Sequence, residues 1–172
     1  MIRAACAAAV LAACGTIAIG GPVPPGEARR PGPAPPRPPA PAPAPAPGMS
    51  ASARMAELVN RHRAAAGCPP LALLDGAARA AQGHADDMAR RGYFSHVSPE
   101  VEGLAERLAR EGVRLRMAAE NIALDPASPE LVLNGWLRSA GHRQNLENCR
   151  YTHHGVGERT GRWTHVFVTP AP

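Results

Sequence analysis

Gly155-Val156-Gly157-Glu158-Arg159-Thr160-Gly161-Arg162-Trp163-Thr164-His165-Val166-Phe167-Val168 decides the fold class. Two β-rich runs flank the Thr160-Gly161 turn signal, so the stretch reads as an antiparallel hairpin near the C-terminus. Upstream, Ala119-Glu120-Asn121-Ile122-Ala123 is the remaining extended piece, inside the segment Val113 to Leu124. From Ser50 on, four stretches before and between these strands carry a helical period.

Met55, Leu58, Val59 and His62 fall at i, i+3, i+4 and i+7, giving a first helix from Ser50 to Ala66 that Gly67 can end. A second starts near Asp75 as N-cap, carries the stripe Leu74, Ala78, Ala81, Ala85 and Met88, and closes at Gly92. Ser98-Pro99-Glu100 reads as a cap, a first-turn proline and an early acid; it opens a third helix with Val101, Leu104, Ala105 and Leu108 inward, up to Gly112. Ser128-Pro129-Glu130 repeats the device for a fourth helix through Trp136 that ends near Gly141. Helices, strand, helix, hairpin is the order of an α+β layered domain, not of a parallel α/β sheet.

Outside that domain the composition changes. Most of the 20 prolines lie between Pro22 and Pro47, among Ala, Gly and Arg. Such a stretch favours extended polyproline II without a core, reaching on the order of 80 Å. Before it, Met1-Ile2-Arg3 and the apolar run to Leu11-Ala12-Ala13-Cys14 read as a secretory signal. The expected organisation is a signal peptide over 1–14, a disordered Pro/Ala-rich linker over 15–49 and a globular domain over 50–172. Leu11-Ala12-Ala13-Cys14 resembles the bacterial lipobox, which implies lipidation at Cys14 and attachment to a membrane. An uncleaved anchor through Ile19 and simple secretion are the alternatives.

The net charge of +5 does not point to nucleic acid. From Ser50 onward, 15 arginines stand against 13 acidic residues, interspersed along helices as on a solvated surface. Cys68 and Cys149 are the only cysteines of the domain. In an exported chain they permit one internal bridge, set against two unpaired thiols or an intermolecular bridge.

Of seven histidines, His62 and His84 read as core or boundary residues, His153 and His154 as surface, and His165 as a strand residue. His96 and His142 each follow a helix terminus, where functional groups often sit. Glu120 lies between them among apolar neighbours. Two imidazoles and a carboxylate suit a divalent metal or acid–base work if they meet, which spacing alone does not establish.

Leu58-Val59-Asn60-Arg61-His62-Arg63, Pro70-Leu71, His84-Ala85-Asp86-Asp87-Met88-Ala89, Phe94-Ser95-His96, Glu120-Asn121-Ile122-Ala123, Trp136 with Ser139-Ala140-Gly141-His142-Arg143, Asn145-Leu146, Gly155-Val156-Gly157, Trp163 and Phe167 occur in one order. That ordered set resembles the CAP superfamily (cysteine-rich secretory proteins, antigen 5 and pathogenesis-related proteins) in its short bacterial, SCP-like form. The resemblance implies an α-β-α sandwich with a small antiparallel sheet between helical layers. It implies a cleft formed by His96, Glu120 and His142, lined by Asn121 and Ser139. The second acid of the family pattern falls on Ser139, and Ala119 replaces the glycine before Glu120. A metal such as zinc would therefore have fewer protein ligands than the family pattern provides.

Two functions follow as expectations. One is a non-catalytic binding or interaction module in the cell envelope, taking a metal ion, a lipid or a wall component. The other is a metal-assisted, peptidase-like hydrolase using the same cleft. No His-Glu-x-x-His motif occurs, and catalytic residues are not assigned.

Overall fold

The computed structural model describes residues 48–124 and 128–172. Cys14 and the proline-rich linker up to Pro47 lie outside them. The described elements run α1 (Ala51–Ala65), β1 (Ala72–Leu73), α2 (Asp75–Arg91), α3 (Leu104–Arg110), β2 (Leu115–Leu124), α4 (Pro129–Arg138), α5 (Ala140–Glu147), β3 (His153–Arg159) and β4 (Arg162–Pro170).

The hairpin stands where the sequence places it. Arg159 pairs with Arg162, so Thr160 and Gly161 alone make the turn. Both have positive φ, 45° and 79°, the two-residue geometry whose twist matches the flanking strands. The sheet order is β1-β3-β4-β2. β2–β4 and β3–β4 are antiparallel, whereas β1 pairs parallel with β3 through Ala72–His153 and Leu73–His154. The sheet is thus mixed, not wholly antiparallel: a two-residue parallel strand is too short to leave a period in sequence.

Alternation along β4 divides the core. Trp163 and Phe167 face α1, α4 and α5, packing with Met55, Val59, Leu133, Trp136 and Leu146. Val166 and Val168 face α2 and α3, packing with Ala77, Ala80, Ala81 and Leu108. On that side α2 lies directly on the backbone of β3. A Cβ on Gly155 would sit 2.2 Å from the Ala77 carbonyl carbon, and one on Gly157 would sit 2.4 Å from the Gln82 nitrogen. The Gly-Val-Gly run and the alanines of α2 are therefore two halves of one close approach.

Several element boundaries differ from the sequence reading. Leu74, not Asp75, is the N-cap of α2, and Asp75 is its first residue. Ser98-Pro99-Glu100 does not open a helix. Ser98 Oγ accepts from the Glu102 N–H and the Ser98 carbonyl accepts from the Val101 N–H, closing a turn. Val101 is 81% exposed at φ 66°, and Ala105 is exposed, so neither points inward. α3 begins after Gly103, whose N–H donates to Glu106 Oε2. Ser128 is a real N-cap, accepting from the Leu131 N–H. The fourth helix breaks at Ser139, extended at ψ 122°, and α5 follows, so His142 sits in the first turn of a helix instead of beyond a helix end. His154 is buried, not on the surface, because its register opposite Phe167 turns it into the core. Cys68 and Cys149 are joined, with Cα atoms 4.9 Å apart.

Candidate functional site

β2 is the edge strand on one side of the sheet, and its alternation sends Glu120 and Asn121 to opposite faces. Glu120, opposite Val166, faces the α2–α3 layer. Asn121, opposite His165, faces α4 and α5. The candidate site straddles this edge.

On the first face, His96 and Glu120 meet: His96 Nδ1 lies 2.9 Å from Glu120 Oε1. The second oxygen, Oε2, accepts from Arg107 Nη2 at 2.7 Å. Arg107 Nη1 donates to the His96 carbonyl at 3.0 Å and to the Glu102 carbonyl at 3.2 Å. The Glu120 and Arg107 side chains are only 4% and 2% exposed, whereas the His96 side chain is 54% exposed. A buried ion pair thus supports an open imidazole. The His96 loop has a further anchor in His84, buried on α2, whose Nε2 lies 2.8 Å from the Ser95 carbonyl. Burial chiefly pushes the His84 imidazole below its ordinary pKa; the Glu120 carboxylate opposes that shift and the Arg107 charge adds to it.

On the second face, Asn121 Nδ2 donates to the His142 carbonyl at 3.0 Å, and Asn145 Nδ2 donates to Asn121 Oδ1 at 2.8 Å. Both ends of the Asn121 amide are used, which makes it the bracket holding α5 against β2. Trp136 Nε1 donates to the outward Ile122 carbonyl at 3.0 Å and covers that edge. Its ring centroid lies 6.5 Å from that of His142. Burial, and secondarily the neighbouring His96, lower the His142 pKa. His142 therefore stays a neutral imidazole to lower pH than an exposed histidine. Ser139 is the N-cap residue of α5 and its side chain makes no cap hydrogen bond.

The structure thus joins His96 to Glu120 directly and places His142 within electrostatic reach of His96. Glu120 has no oxygen left without a partner. For a metal ion, the remaining donors are the Nε2 of His96 and the imidazole of His142, with Glu120 behind His96 as an orienting acceptor. Among the described residues, no cluster of three His, Cys, Asp or Glu is gathered so that it could hold a metal.

The sequence reading missed Arg107 and His84. Arg107 left one signal: Leu104, Arg107 and Leu108 stand at i, i+3 and i+4, so an arginine occupies an apolar-stripe position. Beyond Arg107 a cavity of about 530 Å³ opens between α2 and the Ser98–Arg110 segment, lined by His84, Asp87, Arg91, Ser98 and Glu102 among others. Neither His96, Glu120 nor His142 lines it.

The family model of the CAP, or cysteine-rich secretory protein, family matches residues 56–168. The chain belongs to that family. This CAP domain is 34% identical over 117 residues to the uncharacterized protein YkwD of Bacillus subtilis (strain 168), a match covering 67% of this chain and 46% of the relative. It is 36% identical over 119 residues to the uncharacterized membrane protein YlbC of the same organism, covering 69% and 34%. The chain thus spans less than half the length of these curated relatives. Among solved structures, an extracellular protein with an SCP domain from Bacillus anthracis superposes with a TM-score of 0.67 at 38% identity, over 69% of this chain and 40% of that one. An outer surface protein of Borrelia burgdorferi shares the fold at a TM-score of 0.63 and 15% identity, covering 69% and 91%. The Bacillus anthracis relative, at 38% identity, is an extracellular protein, which supports an exported protein.

Proposed function

We propose that this CAP domain is a non-catalytic binding module of the cell envelope, held to a membrane through Cys14 and its proline-rich linker. The observation that carries the reading is the half-exposed His96 ring, its Nδ1 engaged by a buried carboxylate and its Nε2 left to a ligand. Two further points favour binding over catalysis. The domain's two cysteines are bonded to each other, so neither is a thiolate nucleophile. Among the described residues no hydroxyl is hydrogen-bonded to His96 or His142, as an activated serine would be. The membrane relative YlbC is consistent with tethering. A Cys14→Ala variant should accumulate as an unlipidated precursor on immunoblots; normal maturation would remove the lipid anchor from the proposal.

The ligand class follows from the donors. His96 and His142 offer imidazole nitrogen to a divalent ion such as zinc, or a hydrogen-bond acceptor to a polar lipid or wall component. Calorimetric titration with zinc chloride should give weak binding that disappears in His96→Ala and His142→Ala. Ser139→Glu, which restores the acid of the family pattern, should tighten it. Coordination needs neutral imidazole, so binding should weaken in acid, with the His142 contribution persisting below the ordinary histidine range because burial lowers its pKa. Equal binding by wild type and both alanine variants would remove the site from this cleft. One observation favours the hydrolytic alternative: a carboxylate-oriented imidazole also suits a general base. Zinc-dependent cleavage of a peptide library that His96→Ala abolishes would select that reading.

A further inference from the structure

The His96–Glu120 pair does not stand alone. Arg107, reaching in from α3, closes a ring around it. One guanidinium nitrogen grips Glu120 Oε2, another grips the backbone carbonyl of His96, and the His96 ring returns to Glu120 Oε1. The same Nη1 also holds the Glu102 carbonyl, in the loop just before α3. A planar fork can meet three acceptors on two chain segments at once, which a lysine ammonium on a flexible stem matches poorly. His96 itself lies in a loop without regular structure between α2 and α3.

We propose that Arg107 is the positioning residue of the cleft: it holds Glu120 as an orienting acceptor behind His96, not as a ligand, and so fixes which His96 nitrogen faces outward. The inference rests on the cleft being the binding site. The physical argument is donor accounting. A carboxylate has only acceptor capacity, so the His96 Nδ1 in contact with it carries the hydrogen and Nε2 presents its lone pair. Arg107 occupies the other carboxylate oxygen and balances its charge. Glu120, with a hydrogen bond on each oxygen and only 4% of its side chain exposed, is then poorly placed to ligate a hard, oxygen-seeking cation. The cleft should select ions that favour nitrogen, such as zinc or nickel, over calcium or magnesium.

The ring makes a claim that needs no bound ligand. Nitrogen-15 correlation spectra of the full chain at pH 8, where imidazoles are neutral, report the tautomer of each histidine. Wild-type His96 should show a protonated Nδ1. Arg107→Met and Glu120→Gln should each give a mixed or reversed tautomer at His96 while leaving the buried His154 and His165 signals in place. Arg107→Lys should recover the signature only in part. Zinc affinity should fall about 10- to 100-fold in Arg107→Met, the usual loss when an outer-shell partner is removed. A hundredfold excess of calcium should not compete in wild type. Loss of packing alone would loosen the loop without a defined tautomer change. A protonated Nε2 in wild type overturns the proposal, as does an unchanged tautomer in a folded Arg107→Met. Should Arg107→Met not fold, the wild-type spectrum and Arg107→Lys still decide it. Failure of zinc to bind wild type at all would count against the metal reading alone, since the tautomer is read without metal.

Discussion

At the residue scale, the histidines show what a linear pattern conveys and what it omits. His84 and His165 read as core or strand positions, and both are buried. His154 does not stand out, because His-His-Gly resembles a turn; its burial comes from strand pairing across β3 and β4. It meets His165 there, Nδ1 to Nε2 at 3.1 Å, with His165 stacked on Phe167 at 4.1 Å between centroids. The contact needs one N–H and one lone pair, which two neutral rings supply. Burial, then the Arg63 charge and His153, depress the His154 pKa to about 4; burial, then His154 and Arg63, hold His165 well below 6.5. The unfolded chain takes up protons near pH 6.5 while the folded pair resists, so stability is fully present above that pH and falls below it. For His154 the loss should reach about 3 kcal/mol by pH 4. His84 and His142, also depressed, add loss of the same sign. Urea unfolding from pH 7.5 to 4.5 should show this acid limb, and His154→Gln should flatten it. A wild-type stability that does not change over that range would contradict the burial argument.

At the element scale, the legible features were those with a local cause. The hairpin turn needs two residues of positive φ, and Thr160-Gly161 is close to the expected chemistry. Ser98-Pro99-Glu100 and Ser128-Pro129-Glu130 look alike in sequence, yet only the second caps a helix. After Ser98, the side chain spends its oxygen on the Glu102 N–H, and extended Gly103 becomes the N-cap of α3 instead. That choice depends on where Arg107 and Leu108 must be buried, a tertiary demand with no local signal. Two glycines make the packing argument testable in opposite directions. A Cβ at Gly155 meets the α2 backbone at 2.2 Å, so Gly155→Ala must push helix and strand apart. It should cost about 1–3 kcal/mol, the usual range for overpacking, or more because backbone cannot yield. Gly83, exposed within α2, has nothing within 4 Å of its Cβ position. Gly83→Ala should stabilise by about 0.5–1 kcal/mol through helix propensity. Denaturant midpoints of the two variants should move apart; movement in the same direction would refute the close-approach account.

At the scale of the whole molecule, the Cys68–Cys149 bridge was legible because counting left one internal pairing, while Arg63, which braces the same junction, was not. Arg63 is fully buried, and its guanidinium donates to the carbonyls of Pro69, Leu146, Asn148 and Tyr151 at 2.9 to 3.2 Å. Burial lowers its pKa, and these four backbone carbonyls surround the charge with acceptors. The disulfide spans a sequence separation of 81 and ties the end of α1 to the chain between α5 and β3, the same two segments that Arg63 holds. Neighbours of this kind usually couple energetically. Here the two act on different states. The bridge restricts the unfolded chain, a contribution of about 4 kcal/mol for a loop of this length in the entropic picture. Arg63 satisfies acceptors in the folded one. Arg63→Lys, which cannot reach four carbonyls, should cost about 1–3 kcal/mol per buried acceptor left unpaired. If the bridge works through the unfolded ensemble, reduction should cost wild type and Arg63→Lys the same amount within about 0.5 kcal/mol. Reduction should also steepen the denaturant dependence, because the unfolded chain expands. Urea unfolding of both proteins, oxidised and reduced, completes the cycle. A reduction penalty in Arg63→Lys larger than in wild type by more than about 1 kcal/mol would mean that the bridge braces the folded junction, since additivity fails only for groups that share a state.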